Sequence, residues 1–171
     1  KDRVLTEFET FGANRLIIFP DRPDDAPRNL YPWKDVRLKV EEVDAIETNC
    51  PSIRVLTPIT SLGTTAQYGE RLLEGITVTG IRPAWHETEN RSVLEGRPFN
   101  SIDEAEARQV CLVNEDAITE LGLPSRAVGS SVLIGGRRYL VVGVVETIES
   151  AFLGLNTSSA ELFIPFAMAA R

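Results

Sequence analysis

The sequence holds one histidine, two cysteines and one methionine in 171 residues, and aromatics make up 7% of it. Histidine is the scarcity that matters first. Hydrolases and transferases commonly set a nucleophile beside a base, and histidine is the usual base near neutral pH. The one candidate, His86, stands in "RPAWHETEN", where Glu87 and Glu89 do not provide the i, i+4 histidine spacing of a zinc helix. It reads as a loop histidine with a solvated or local hydrogen bond. Cys50 and Cys111 lie 61 positions apart and belong to no Cys-x-x-Cys pair. They read as two small buried hydrophobes, with a disulfide as the alternative.

Basic residues are also in deficit. Lys and Arg total 18 against 25 Asp and Glu, a net charge of −7 with a pI near 4.8. The cations are scattered, so the localised positive face that a nucleic-acid backbone requires is missing. The longest apolar run, "YLVVGVV" at 139–145, is far short of the ~20 residues that span a bilayer. No G-x-G-x-x-G or G-x-x-x-x-G-K loop follows a strand, which argues against nucleotide binding by this chain. The carboxylate pairs Asp24-Asp25, Glu41-Glu42 and Glu104-Glu106 are neighbours in sequence rather than groups facing across a cleft, and they read as solvated faces. The Asn-x-Ser tripeptides at Asn90 and Asn156 carry little weight. The chain opens "KDRVLTEF" without Met or a signal-like stretch, so it is expected to be processed or cut from something longer.

What is present is an ordinary globular composition, 43% hydrophobic and 25% charged, long enough to bury roughly 70% of its unfolded surface. Val4, Leu5, Phe8 and Phe11 fall at helical spacing before Gly12, and "NRLIIFP" (14–20) reads as a buried strand. "DRPDDAPRNLYP" (21–32) reads as an exposed, mobile loop. "KVEEVDAIETN" gives a short helix with acids opposing its dipole, and "CPSIRVLTP" a returning strand, completing a βαβ-like or split unit. "GITVTGI" alternates a dry face, Ile76, Val78 and Gly80, against a half-wet one. "RQVCLV" is a central strand, Asn114 caps the helix "EDAITEL", and Gly122 with Pro124 ends it. Gly135-Gly136 within "SVLIGGRRYLVVGVVE" is a two-residue hairpin signal, because both central positions need positive φ. After the loop "FLGLNTSSAE" comes a last strand, "LFIPF". Trp33 and Trp85, beside prolines, read as anchors pinning loops to the core, or else as exposed contacts for a partner; Phe152 and Leu153 are candidates of the same kind.

Taken in order, "ITVTGIRPAW", "LEGRPFNSID", "ARQVCLVNEDAITELGLPSRAVGSSVLIGGRRYLVVGVVE" and "ELFIPFAMAAR" resemble the periplasmic core domain of MacB-like and FtsX-like ABC-transporter permeases, almost from end to end. The resemblance implies an α+β fold: a mixed-sheet, porter-like βαβ lobe with an inserted, mostly β second lobe. The whole of 1–171 would be one extracytoplasmic domain, with 1–61 and 147–171 forming the porter-like lobe and 62–146 the inserted lobe. It also implies that Gly96, Arg97 and Pro98 fix a structural turn, with Arg97 bonding to loop carbonyls. Members continue past the "IPF" strand, so here the last strand is expected to have an unprotected edge. The implied role is non-catalytic coupling, with no cofactor in this chain and ATP used by a separate nucleotide-binding domain. The implied partners are flanking transmembrane helices, a cytoplasmic ATPase, a second permease copy or a related one, and a periplasmic adaptor or lipoprotein, at the periplasmic side of the bacterial cytoplasmic membrane. Two other readings stand beside it: a free-standing interaction or adhesion module, and an enzyme working with carboxylates alone.

Overall fold

A computed structural model describes residues 16–21, 38–148 and 159–170. The expected helix over 1–12, the loop 21–32 beyond Asp21, Trp33, Phe152, Leu153 and Asn156 lie outside the described residues. The chain divides into two compact units, Lys1–Leu56 and Thr57–Arg171.

In the first unit, α1 (Val40–Asn49) forms where the sequence places it. Glu42 Oε2 accepts the Lys39 main-chain N–H at 2.7 Å, and Glu41 and Glu42 occupy the first turn. Among the described residues, neither of the two strands expected on either side is formed. Residues 16–20 are irregular, with Leu16 81% and Phe19 74% exposed, and 50–58 are turn and irregular chain. An apolar run makes a strand only against a neighbouring ladder, and Pro51 and Pro58 each remove a donor from one.

The second unit carries β1 (Ile59–Tyr68), β2 (Arg71–Ile81), α2 (Trp85–Glu89), β3 (Val93–Gly96), α3 (Ser101–Ala105), β4 (Val110–Asn114), α4 (Glu115–Leu121), β5 (Ser131–Ile134), β6 (Arg137–Val145), β7 (Leu162–Pro165) and α5 (Phe166–Ala169). The sheet runs β3-β6-β4-β7-β2-β1-β5, and β5 also pairs with β6. Six strands therefore close into a ring, with β3 added on β6 beyond the end of β5. The pairs β2–β7 and β4–β6 are parallel and the rest antiparallel. Gly135 (φ 55°) and Gly136 (φ 79°) make the β5–β6 hairpin, with Ile134 opposite Arg137.

Strand β4 shows why the sequence reads as a continuous apolar run. All five of its residues are buried. Cys111 and Val113 enter one core with Val78, Leu121, Val141 and Leu162, while Val110 and Leu112 enter a second with Ile81, Trp85, Phe99 and Phe163. A strand buried on both faces has no polar alternation to show.

Segment 147–171 was expected with 1–61 in the other lobe. Its described part instead supplies β7, which pairs in parallel with β2 and antiparallel with β4, inside the sheet made by 59–145. The expected bare edge on the last strand is thereby corrected: β7 is bonded on both sides. Cys50 is exposed rather than buried, Cys111 is buried, and both are free thiols.

Candidate functional site

The turn expected at Gly96, Arg97 and Pro98 leads from β3 into α3. Gly96 has φ +76°, and a Cβ there would run into the Val142 carbonyl oxygen and sit 2.8 Å from Val128 Cγ2. Only glycine lets the chain pass so close to β6 in that conformation. Gly143 on β6 is the counterpart, since a Cβ there would strike the Arg97 carbonyl oxygen and Leu112. Arg97 N–H donates to Val142 O at 3.0 Å, which continues the β3–β6 ladder past its end.

The Arg97 side chain donates to one loop carbonyl, Pro98 O, at 3.0 Å. Its main partner is a residue the sequence did not mark. Arg97 Nη1 and Nη2 donate to Asp103 Oδ2 at 2.6 Å and Oδ1 at 3.1 Å, a two-pronged pair between a 41% exposed guanidinium and a fully buried carboxylate. Asp103 Oδ2 also accepts Asn100 N–H at 3.0 Å, and Asn100 Oδ1 accepts the N–H groups of Ile102 and Asp103. This is a reciprocal cap, Asn-x-x-Asp, at the start of α3. Burial pushes the Asp103 carboxyl up. The Arg97 and Asn100 hydrogen bonds and the charges of Arg97 and Arg108 more than reverse this, so it stays below the usual carboxylate range. The same hydrogen-bonded pairing raises Arg97. The Asn100 and Asp103 cap was readable from spacing; the Arg97–Asp103 pairing depends on how the turn folds back, and no spacing rule reports it.

Trp85 is 5% exposed, in helix α2, with its ring centroid 4.9 Å from that of Phe163. It is an anchor of the second core rather than a surface offered to a partner. Arg91, also buried, lies 5.5 Å from both ring centroids and donates to Glu161 Oε2 at 2.7 Å. His86 is in α2 rather than a loop and accepts the Phe99 N–H through Nε2 at 3.1 Å. Asn114 caps α4 through Ala117 N–H, as expected. It also accepts Glu161 N–H and donates to Ser159 O, tying the approach to β7 onto the end of β4.

Helix α3 in turn holds α5. Glu104 Oε2 accepts Ala167 N–H at 3.3 Å, Glu104 meets Arg82 at 3.6 Å, and the Arg82 guanidinium lies 5.0 Å from the Phe166 ring centroid. An open, mostly apolar groove of ≈ 390 Å³ runs beside the turn, lined by Gly96, Arg97, Val128, Leu140 and Val142 among others. Among the described residues, no three His, Cys, Asp or Glu side chains are grouped to hold a metal ion, and no helix is long and apolar enough to cross a membrane. What the arrangement does is join strands and short helices into one body through buried polar ties.

The family profile described as "MacB-like periplasmic core domain" matches residues 1–171. The macrolide export ATP-binding/permease protein MacB of Pasteurella multocida is 27% identical over 86% of this chain, and that of Salmonella paratyphi A is 26% identical over 97%. The chain spans 22% and 25% of the lengths of those relatives. Among solved structures, the periplasmic region of MacB from Actinobacillus actinomycetemcomitans superposes with a TM-score of 0.66 at 21% identity, covering 78% of this chain and 57% of that one. The extracellular domain of the noncanonic ABC-type transporter YknZ from Gram-positive bacteria gives 0.67 at 21% identity, covering 85% and 70%. The two structures share the mixed α+β fold described above, and the profile match covers every residue. The chain belongs to the family of MacB-like periplasmic core domains.

Proposed function

We propose that this chain is the extracytoplasmic domain of an ABC-transporter permease of the MacB type and that its contribution is mechanical rather than catalytic. The observation that carries the reading is the family match across the entire chain. In this reading the domain stands at the periplasmic face of the bacterial cytoplasmic membrane, anchored by transmembrane helices of the same protein. A separate nucleotide-binding domain binds and hydrolyses ATP, and two permease copies, or a permease and a related partner, work together. An adaptor or lipoprotein in the periplasm receives the displacement, and the output is export, lipoprotein release or signalling. The closed ring of strands supports such a role, because a close-packed interior passes displacement on instead of absorbing it.

The test uses the full-length transporter, with ATP hydrolysis and export of a macrolide measured before and after residues 57–171 are replaced by a short flexible linker. The reading expects hydrolysis to persist while export is lost. Undiminished export would overturn it, as would a parent gene encoding no membrane-spanning stretch beside this domain.

A further inference from the structure

The single histidine has no part in the mechanical reading, yet its surroundings are specific. His86 Nε2 accepts the Phe99 main-chain N–H at 3.1 Å, while Nδ1 is buried without a hydrogen-bond partner. A ring nitrogen that accepts carries no proton, so this geometry requires the neutral imidazole with its hydrogen on Nδ1. Trp85 and Phe99 turn ring edges toward it, with centroids at 5.2 and 6.1 Å. The charged groups on the elements around it are Glu87 and Glu89 on its own helix, Arg82 just before that helix and paired with Glu104 of α3, Arg91 paired with Glu161 and close to Glu89 beside Trp85, and Arg97 on the turn paired with Asp103 of α3.

We infer that His86 is a proton-operated latch on the turn that carries Phe99: the neutral ring holds the Phe99 N–H, and a proton on Nε2 replaces that acceptor with a second donor and lets the turn go. Burial disfavours the charged ring and lowers its pKa. The folded value therefore lies below the unfolded value of about 6.5, so the unfolded chain binds the proton more readily. The latch's stabilisation is complete above that value and is lost as pH falls from about 6.5 toward the folded pKa. Asp103 is held below the usual carboxylate range, so the Arg97–Asp103 pair stays ionised across this window and opening begins at His86. Phe99 is 4% exposed in the second core and leads into α3, whose Glu104 holds the first turn of α5. Release at His86 thus loosens α3 and α5 together. The inference stands on these contacts and does not depend on the transport reading.

The test follows the His86 ring nitrogens and the Phe99 and Arg97 amides by nuclear magnetic resonance and hydrogen exchange in the 1–171 chain, from about pH 7.5 to about pH 5. The Phe99 amide shift is expected to follow the His86 titration, with a midpoint below about 6.5. Phe99 protection should fall roughly tenfold or more relative to Arg97, whose N–H bonds to β6. His86→Gln keeps an acceptor that does not titrate and is expected to remove the pH dependence. His86→Phe keeps the packing without an acceptor and is expected to exchange Phe99 rapidly at every pH. A midpoint at or above about 6.5, a Phe99 amide that stays still while His86 titrates, or an unchanged pH response in His86→Gln would each overturn the latch.

Discussion

Two glycines separate conformational need from chance at the scale of single residues. Gly96 combines a φ of +76° with a carbonyl oxygen lying where a Cβ would go, whereas a Cβ at Gly63 would meet nothing within 4 Å. Gly96→Ala is expected to cost about 3 kcal/mol in denaturant unfolding, and Gly63→Ala to stay within about 0.5 kcal/mol of the parent. The thiols differ in the same way. Burial pushes Cys111 up to about 12, while Cys50 is exposed. A disulfide-exchange reagent should therefore titrate one thiol quickly in the folded chain and two after unfolding, and two fast thiols would show that β4 opens readily. The turn pair adds a pH signature. Arg97→Ala leaves a fully buried carboxylate with the Asn100 N–H and the more distant charge of Arg108. The exposure of the guanidinium places the cost near the low end for such pairs, about 2 kcal/mol. Asp103 has a depressed folded pKa, so its stabilisation is present above the unfolded value of about 3.9 and is lost as pH falls through the folded value. The stability gap between the parent and Asp103→Asn should accordingly shrink toward acid.

Elements show where sequence pattern suffices and where it does not. Helix α1, the capped helix α4 and the Gly135-Gly136 hairpin were legible because each is specified by neighbours a few positions apart. Strand β4 was legible because it is apolar throughout. Strand β1 was not: Thr60, Ser61, Gly63, Thr64 and Thr65 dilute its pattern, and it becomes a strand through nine aligned positions against β2. The reverse error fell on Leu16–Phe19, apolar in sequence and exposed in the described residues. The place of β7 between β2 and β4 was hidden for the same reason, since pairing between distant segments leaves no local mark. Asn114 joins the two regimes: its helix cap is local, and its bonds to Ser159 and Glu161 span 45 and 47 positions. Asn114→Ala should cost about 3 kcal/mol by thermal or denaturant unfolding, and Asn114→Asp less, because the aspartate can still accept from Ala117 and Glu161. Equal losses in the two variants would place the energy in the Nδ2 bond to Ser159 instead of the cap.

For the molecule as a whole, ring closure is the property on which the proposed role turns. In an open sheet β5 would be free to swing about its contact with β1; here β5 is held by β1 and β6 both, while α3 fastens α5 by a main-chain bond. In the proposed role, a body tied in this way is displaced as one piece. The direct test is a pair of spin-label distances in the full-length transporter, measured without nucleotide and with ATP. One lies inside the unit, between the exposed positions Leu72 and Leu140, and the other runs from Leu140 to a membrane span. The account predicts an unchanged inner distance and a shifted outer one; an inner distance that moves or broadens with ATP would contradict it.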